Sequence, residues 1–475
     1  MCLAHMSEEG AEQKYIKEAF DTNWVVPLGP NVNGFEKDLE EFVNDTLGSD
    51  PSAESETSAF GSDPKRVVAL SSGTAAVHLG LLNCGVGPGD EVIVQSFTFC
   101  ASTHPVTYLG ATPVLVDSEP DTWNIDPELL EVAIKDRKAK TGKYPKAIVP
   151  VALYGMPYKA DRIMEIANKY GIPVVEDAAE GFGSRYKGQM LGTFGKYGVL
   201  SFNGNKMITT SGGGALITED EDHWREVMMY ATQYRESYPY YQHEKIGYNY
   251  RMSNICAGIG RGQMTVVEEH LAHHKHVQAL YEELLADVPG VHVHSQPTGT
   301  LGSGSSADIL GSDPSAESET SAFGSDPVYD SNYWLCTITL DPELKVKGQE
   351  NAYKSIVTGA VGGAAGVIHA AESAHTDCEP NANVEALRVA LDKANIEARP
   401  LWKPMHKQPC YLQGDVKIEK CKNENIICQT SDSSIAYVNG VSEALFKVGM
   451  CLPAGPYVTD DDVKYIVDCI KEAIV

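Results

Sequence analysis

The sequence has no apolar run of 18 or more residues, which is about the length that a membrane-spanning helix needs. Its first residues, MCLAHMSEEG, lack the apolar segment of a signal peptide, so we expect a cytoplasmic protein without a membrane partner. Basic residues are scarce, because 38 Lys and Arg stand against 65 Asp and Glu, for a formal net charge of −27. Nucleic acids bind basic surfaces, and we therefore expect no nucleic-acid partner.

Several metal and disulfide signatures are also missing. The eleven cysteines include no CxxC pair, and an odd number without such pairs predicts reduced thiols rather than a disulfide framework. His369, Glu372, His375 and Cys378 could suggest a metal cluster, but HExxH is absent and spacings of three residues are common by chance. We expect no metal, and we interpret this stretch as a surface extension.

The segment SFNGNKMITTSGGGALIT, residues 201–218, places one lysine between two predicted strands. Val199 to Phe202 has the pattern of a strand that enters the turn, and Ala215 to Thr218 that of a strand that leaves it. Lys206 in this glycine-rich turn could form a Schiff base if it loses its proton, and Ser201 lies near enough to reach a phosphate on the same ligand. The alternative is a solvated lysine in a hairpin.

A second segment, GIPVVEDAAEGFGSRYKG, ends a predicted parallel strand with acidic residues. Ile172 to Val175 is a continuous apolar run, and Asp177 follows it where ligands of open α/β sheets bind. A carboxylate there can pair with a protonated pyridine nitrogen. The alternative is that Asp177 caps a helix that begins at Ala178 and Ala179.

A third segment, RVVALSSGTAAVHLGLL, predicts a strand (Val67 to Leu70), a turn that contains Gly73 and Thr74, and a helix from Ala75. The free N–H groups at such a helix start bind anions, although an ordinary capped turn would have the same pattern. It is not a Walker loop, because no GK[ST] follows. The phosphate cradle, ring partner and lysine together describe a pyridoxal phosphate site.

These segments resemble the sugar-nucleotide aminotransferases of the DegT/DnrJ/EryC1/StrS family, over about four-fifths of the chain and most specifically at SFNGNK and VVEDAAE. The resemblance implies an α/β fold of type I among pyridoxal 5′-phosphate enzymes, with a mostly parallel sheet flanked by helices and a smaller C-terminal α/β domain. It also implies that Lys206 carries the cofactor as an internal aldimine and that Asp177 pairs with its ring nitrogen. Gly73, Thr74 and Ser201 would then hold the phosphate.

The resemblance extends to further positions. It implies that Phe99 stacks on the cofactor ring, that Glu180 lies near the cofactor and substrate, and that Asn249 reaches the phosphate of a neighbouring subunit in a homodimer with shared active sites. Phe99 could equally belong to the core, and Asn249 to a turn. The residues that the resemblance brings near a sugar nucleotide are Asn23, Trp24, Pro27, Gly29, Lys403 and His406, for which turn and packing roles are the alternatives.

The activity implied is transfer of the amino group of glutamate to a nucleotide-linked keto sugar. The run NGNKMITTSGGG with DAAE most resembles family members that aminate C4 of a UDP-linked 4-keto-6-deoxy-N-acetylhexosamine for surface glycans. A TDP-linked keto sugar is the alternative acceptor. A non-catalytic cofactor-binding regulator or scaffold is the alternative of another class.

The domain organisation includes one oddity. The string LGSDPSAESETSAFGSDP occurs twice without change, at residues 47–64 and 310–327, and its composition predicts tolerated, solvated insertions. We expect an N-terminal segment (1–29) that contributes to the active site and a large cofactor-binding domain (30–275). A small C-terminal domain (276–475) would carry insertions at about 298–327 and at 347–380.

Overall fold

The computed structural model describes residues 3–45, 64–299, 328–352, 378–421 and 426–475. The duplicated string, apart from Pro64, lies outside these residues, as do His369, Glu372 and His375. Within the described ranges, no helix has the length and apolar character to cross a membrane. The same ranges contain no cluster of three or more His, Cys, Asp or Glu side chains that could hold a metal ion.

The described helices are α1 (Ala11–Asp21), α2 (Pro30–Asn44), α3 (Gly73–Asn83), α4 (His104–Tyr108), α5 (Pro127–Thr141), α6 (Ala160–Tyr170), α7 (Glu221–Ala231), α8 (Asn254–Met264), α9 (Val267–Leu285), α10 (Ala382–Lys393), α11 (Val441–Val448) and α12 (Asp460–Ala473). The described strands are β1 (Arg66–Leu70), β2 (Glu91–Gln95), β3 (Thr112–Val116), β4 (Ala147–Val149), β5 (Val175–Asp177), β6 (Arg185–Tyr186), β7 (Gln189–Met190), β8 (Tyr197–Ser201), β9 (Gly214–Thr218), β10 (Val291–Val293), β11 (Tyr329–Asp330), β12 (Cys336–Leu340), β13 (Arg399–Pro400), β14 (Lys417–Lys420), β15 (Ile427–Thr430), β16 (Ile435–Val438) and β17 (Gly449–Leu452).

One large sheet carries the active-site segments. Four of its strands lie in the order β1-β9-β8-β5, and six more lie in the order β4-β2-β3-β16-β15-β14. A parallel bridge between Asp177 at the end of β5 and Val151, which follows β4, joins the two sets. From β1 to β16 only β9 runs against the others. The predicted mostly parallel α/β sheet is therefore confirmed.

Both faces of this sheet are buried from β1 to β3, as the apolar runs of these strands predict. In β1, Val67 and Ala69 pack into one hydrophobic core, whereas Val68 and Leu70 pack into a second core on the opposite face. Successive side chains of a strand point to opposite faces, so each face needs its own layer of helices. The carboxyl ends of β1, β5 and β8 are thereby held in a rigid frame.

A smaller antiparallel sheet, in the order β10-β12-β17-β13, forms the centre of the C-terminal region. Its core includes Ile338 from β12, Tyr281 from α9 and Ile470 from α12. The final helix begins at a capping box, in which Thr459 Oγ1 accepts the Asp462 N–H at 3.1 Å.

Two expectations need correction. The sequence pattern around Gly258 to Leu285 predicts one long helical stretch, whereas the structure divides it between α8 and α9, with Thr265 and Val266 outside both. Strands β14, β15 and β16, which lie in the range that we assigned to the small domain, instead belong to the large sheet, because Ile435 of β16 pairs in parallel with Val114 of β3. The chain therefore returns to the large domain before it completes the small one.

Candidate active site

Asp177 ends β5 at the carboxyl edge of the large sheet. Residues 178–184, which follow Asp177, form no helix, so the alternative that Asp177 caps a helix is wrong. One carboxylate oxygen accepts the Ser102 hydroxyl at 2.7 Å, and the other accepts the Ala179 N–H at 3.1 Å. Burial raises the pKa of this carboxyl, although Ser102, Ala179 and the charge of Lys206 oppose the effect. The site thus keeps an acidic group away from water, where a cationic partner would stabilise its charged form.

Lys206 lies in the turn between β8 and β9, and only 9% of its surface is exposed. Its Nζ lies 3.3 Å from Glu180 Oε1 and 4.1 Å from the ring centroid of Trp334, which is a cation–π distance. The N-terminal arm contacts the same turn, since the Ala4 N–H donates to the Gly204 carbonyl at 3.1 Å. The alternative of a solvated hairpin lysine is therefore wrong.

Glu180 connects this lysine to a strained backbone position. Its Oε2 accepts the Tyr154 N–H at 2.8 Å, and Tyr154 has a left-handed φ of 55°. Burial raises the pKa of Glu180 to about 7, against the opposing effect of the Lys206 charge. For a non-glycine residue, this backbone conformation costs on the order of 1–3 kcal/mol of folding free energy. Residues in such strained conformations are common at functional sites, where surrounding contacts hold them in place.

Trp334 is a site residue that was not predicted, because the sequence pattern of Tyr333 to Leu340 indicates only a strand. Asn332 positions it: the Asn332 Oδ1 accepts the Trp334 N–H at 2.8 Å, and the Asn332 Nδ2 donates to the Glu180 carbonyl at 2.8 Å. The Trp334 indole N–H donates to the Asn205 carbonyl beside the lysine at 2.6 Å. A polar SN pair directly before two aromatic residues is the only signal that the sequence offered.

Gly73 opens α3 against the end of β8. A Cβ added to Gly73 would lie 2.9 Å from the Ser201 Cβ, so only glycine permits this approach. Ser72 caps the helix by accepting the Ala75 N–H at 3.0 Å. The first N–H groups of a helix, here those of Gly73 and Thr74, have no acceptor within the helix and are suited to bind an anion. The structure therefore brings Gly73, Thr74 and Ser201 together.

An aromatic group borders the site. Phe99 is 52% exposed, and its ring centroid lies 5.4 Å from that of Trp402. Trp402 in turn lies 5.0 Å from the Tyr154 ring and 6.2 Å from the Trp334 ring. The core alternative for Phe99 is thus wrong. Its exposed ring is connected by these contacts to the lysine.

The structure places the remaining predicted site residues either in the protein interior or at its surface. His406 is fully buried, with its Nδ1 2.7 Å from the Ser96 hydroxyl and its Nε2 3.1 Å from Glu443, so this structure does not offer its ring to a sugar nucleotide. This corrects the expectation for His406. Lys403 is half-buried, and burial lowers its pKa.

Asn249 is exposed and pairs through an isolated bridge with Thr232. In the N-terminal segment, Asn23, Trp24 and Pro27 are exposed, whereas Gly29 is buried at the start of α2 with a φ of 140°. The buried Asn254 holds this segment, because its Nδ2 donates to the Trp24 carbonyl at 2.9 Å.

The chain is similar to known proteins along most of its length. The model of the DegT/DnrJ/EryC1/StrS aminotransferase family matches residues 52–309. EpsN of Bacillus subtilis (strain 168), a protein named for pyridoxal phosphate-dependent aminotransferase activity, is 37% identical over 470 residues, which are 98% of this chain and 93% of EpsN. GDP-perosamine synthase of Caulobacter vibrioides is 40% identical over 278 residues, or 58% of this chain and 68% of that protein.

A solved structure supports the fold. The crystal structure of a DegT DnrJ EryC1 StrS aminotransferase from Brucella abortus superposes with a TM-score of 0.70 at 24% identity, and the match covers 98% of this chain and 95% of that one. The predicted fold type I architecture is therefore confirmed, and so are the predicted aminotransferase class and its pyridoxal phosphate cofactor. The chain belongs to the DegT/DnrJ/EryC1/StrS aminotransferase family.

Proposed function

We propose that this protein transfers the amino group of glutamate to a nucleotide-linked keto sugar, with pyridoxal 5′-phosphate held by the residues described above. The observation that carries the proposal is the buried Lys206 amine, whose charge interacts with both Asp177 and Glu180. A lysine amine that is shielded from water in this way is suited to act as a nucleophile in covalent catalysis.

The residues fit the cofactor on structural grounds. The absence of a Cβ on Gly73 lets the start of α3 approach Ser201 closely, and the N–H groups of Gly73 and Thr74 suit a phosphate. The buried Asp177 carboxylate would pair with the ring nitrogen, and the exposed face of Phe99 would cover the ring. When bound, the cofactor supplies an electron sink for the substrate carbon.

Lys206 then performs the acid–base work. With the cofactor bound, its Nζ would take the proton from the α-carbon of glutamate as a general base and would give a proton back as a general acid. The same atom works in the reverse order when the keto sugar receives the nitrogen. The enclosing side chains of Trp334 and Glu180 restrict the amine to a small volume, which favours productive geometry.

For the acceptor, we propose a UDP-linked 4-keto-6-deoxy-N-acetylhexosamine, on the likeness of NGNKMITTSGGG and DAAE to enzymes that use such sugars. A GDP-linked 4-keto sugar is a second candidate, favoured by the 40% identity to GDP-perosamine synthase. A TDP-linked sugar remains the third. The exposed segment Asn23 to Pro27 and the half-buried Lys403 are the residues that we propose to contact the nucleotide part.

Two steps of spectroscopy test this function. The purified holoenzyme should be yellow, and its visible absorbance should fall when glutamate is added. After 2-oxoglutarate is removed, each of the three keto sugars is offered in turn, and the UDP-linked sugar should restore the absorbance fastest. Faster recovery with the GDP or TDP sugar would change the acceptor, whereas colour that glutamate never bleaches would favour the non-catalytic regulator.

We further propose a homodimer in which Asn249 contributes to the neighbouring active site. The loop before Asn249 exposes large side chains, with Tyr240 at 62%, Tyr241 at 77% and Ile246 at 88% exposure. Clustered exposed apolar side chains are typical of interaction surfaces. Analytical ultracentrifugation should give a dimer, and a fully active monomer would refute this arrangement.

A further inference from the structure

The amine of Lys206 has a carboxylate on one side and an aromatic ring on the other. Glu180 Oε1 lies 3.3 Å from Nζ, and the Trp334 ring centroid lies 4.1 Å from it. The side chain of Glu180 is 3% exposed and that of Lys206 is 11% exposed, so water has little access to the pair. A buried ammonium in this position can exchange its proton with few groups.

The hydrogen bonds of the neighbouring groups leave Glu180 as the acceptor for a proton from the Lys206 amine. Asp177 is engaged by Ser102 and Ala179, as described above. In Glu180, the Tyr154 N–H occupies Oε2, which leaves Oε1 directed at the amine. The Trp334 ring attracts a cation but cannot accept a proton from it.

We propose that Glu180 is the acid–base partner of Lys206, which takes the proton from the Nζ ammonium and so produces the neutral amine that bonds to the cofactor and abstracts protons. This proposal rests on the proposed function. In the step, one N–H bond of the ammonium breaks, its electron pair stays on nitrogen, and the proton bonds to Oε1. The ammonium and carboxylate thus become an amine and a carboxylic acid, and the reverse transfer restores them.

The electrostatics suit this exchange at neutral pH. Burial is the largest cause of the raised pKa of Glu180, about 7, and the nearby charge of Asp177 acts in the same direction. Lys206 opposes it, as does the hydrogen bond from the Tyr154 N–H. Among the residues that the structure describes, Tyr154 and Cys451 are the other titratable groups that face Glu180, and burial raises the pKa of each, so both stay neutral at pH 7. A group with its pKa near the working pH is the most effective proton carrier.

The test follows attachment of pyridoxal 5′-phosphate to the apoenzyme by its visible absorbance, from pH 5.5 to 9. In the wild-type protein the rate should rise with an inflection near pH 7, because the carboxylate form of Glu180 accepts the proton. In Glu180→Gln the inflection should be lost, and the rate at pH 7.5 should fall on the order of 100-fold, the lower end for a positioned acid or base. Glutamine keeps a carbonyl oxygen for the Tyr154 N–H, and thermal melting should verify that the variant folds.

Glu176→Gln is the matched control. Glu176 is also fully buried with its pKa raised to about 7, but its carboxylate accepts the Phe194 N–H at 3.0 Å instead of contacting the lysine. Glu176→Gln should keep the inflection in the pH dependence of the attachment rate. Glu180→Asp should also keep this inflection, but its attachment rate should be lower. A wild-type inflection that persists in Glu180→Gln would overturn the inference while the proposed function stands. Wild-type protein that never gains visible absorbance would instead refute the proposed function.

Discussion

Asp177→Asn should lower activity and, in the absence of cofactor, raise stability. The amide is nearly isosteric with the carboxylate but cannot carry the charge that we propose to pair with the ring nitrogen. Removing one partner of a buried ion pair costs about 3–5 kcal/mol. At about 1.36 kcal/mol per tenfold change, the rate of the glutamate half-reaction should fall roughly 150- to 5,000-fold.

The stability change has the opposite sign because the apoenzyme buries this acid without a full charge partner. Burial raises the pKa of Asp177 in the fold above its value in the unfolded chain. The carboxyl therefore stabilises the fold most at low pH, and that contribution is lost as the pH rises through the raised pKa. The asparagine variant avoids this loss, so its apoenzyme should melt at a higher temperature than the wild type at pH 8. The difference should shrink as the pH falls toward about 4.

Stopped-flow absorbance with glutamate measures the first effect, and thermal melting of apoenzyme at several pH values measures the second. Ser102→Ala provides the control, because it removes the hydroxyl donor 2.7 Å from the Asp177 carboxylate and leaves the charge in place. That variant should lose activity only about tenfold and should become less stable at pH 8, in contrast to the asparagine variant. Activity of Asp177→Asn within tenfold of the wild type, or a lower melting temperature at pH 8, would refute the reasoning.

Three further variants test other parts of the site. Lys206→Ala should still fold, with a cooperative melting transition, but lose turnover by at least on the order of 100- to 10,000-fold in a steady-state assay, and near-normal activity would end the proposed mechanism. Gly73→Ala should weaken binding of pyridoxal phosphate about 10- to 100-fold in a titration, because the new Cβ would lie 2.9 Å from the Ser201 Cβ; unchanged affinity would argue against the phosphate cradle. Glu176→Gln should stabilise the apoenzyme at pH 8 by up to about 3 kcal/mol and much less at pH 5 in chemical denaturation, because burial raises the pKa of Glu176 from 4.5 to about 7; equal gains at both pH values would contradict that origin.

The sequence predicted the local frame of the site well. Strands β1, β8 and β9 were predicted within a residue or two of their observed bounds, because each is an apolar run bounded by turn residues. β5 was displaced: we predicted Ile172 to Val175, but the strand runs over Val175–Asp177. Pairing with β8 extends it into its acidic end, and this tertiary contact outweighs the low strand propensity of aspartate.

Contacts between distant parts of the chain could not be predicted in this way. Trp334 reaches Lys206 through Asn332 and a hydrogen-bonded turn, and no local pattern indicates such a contact. The buried position of His406 likewise depends on Ser96, which lies 310 residues earlier. The substrate and dimer assignments remain predictions for the experiments above.

The parallel pairing of β16 with β3 has a consequence for synthesis of the protein. Ile435 follows Val116 by about 320 residues, so at about 5–20 residues per second the ribosome needs roughly 15–60 s between completing β3 and supplying its partner. During this time β3 is an open, apolar sheet edge, the kind of surface through which nascent chains aggregate. The order of translation therefore exposes this edge in every copy that is made, and fragments that end before residue 435 carry it permanently.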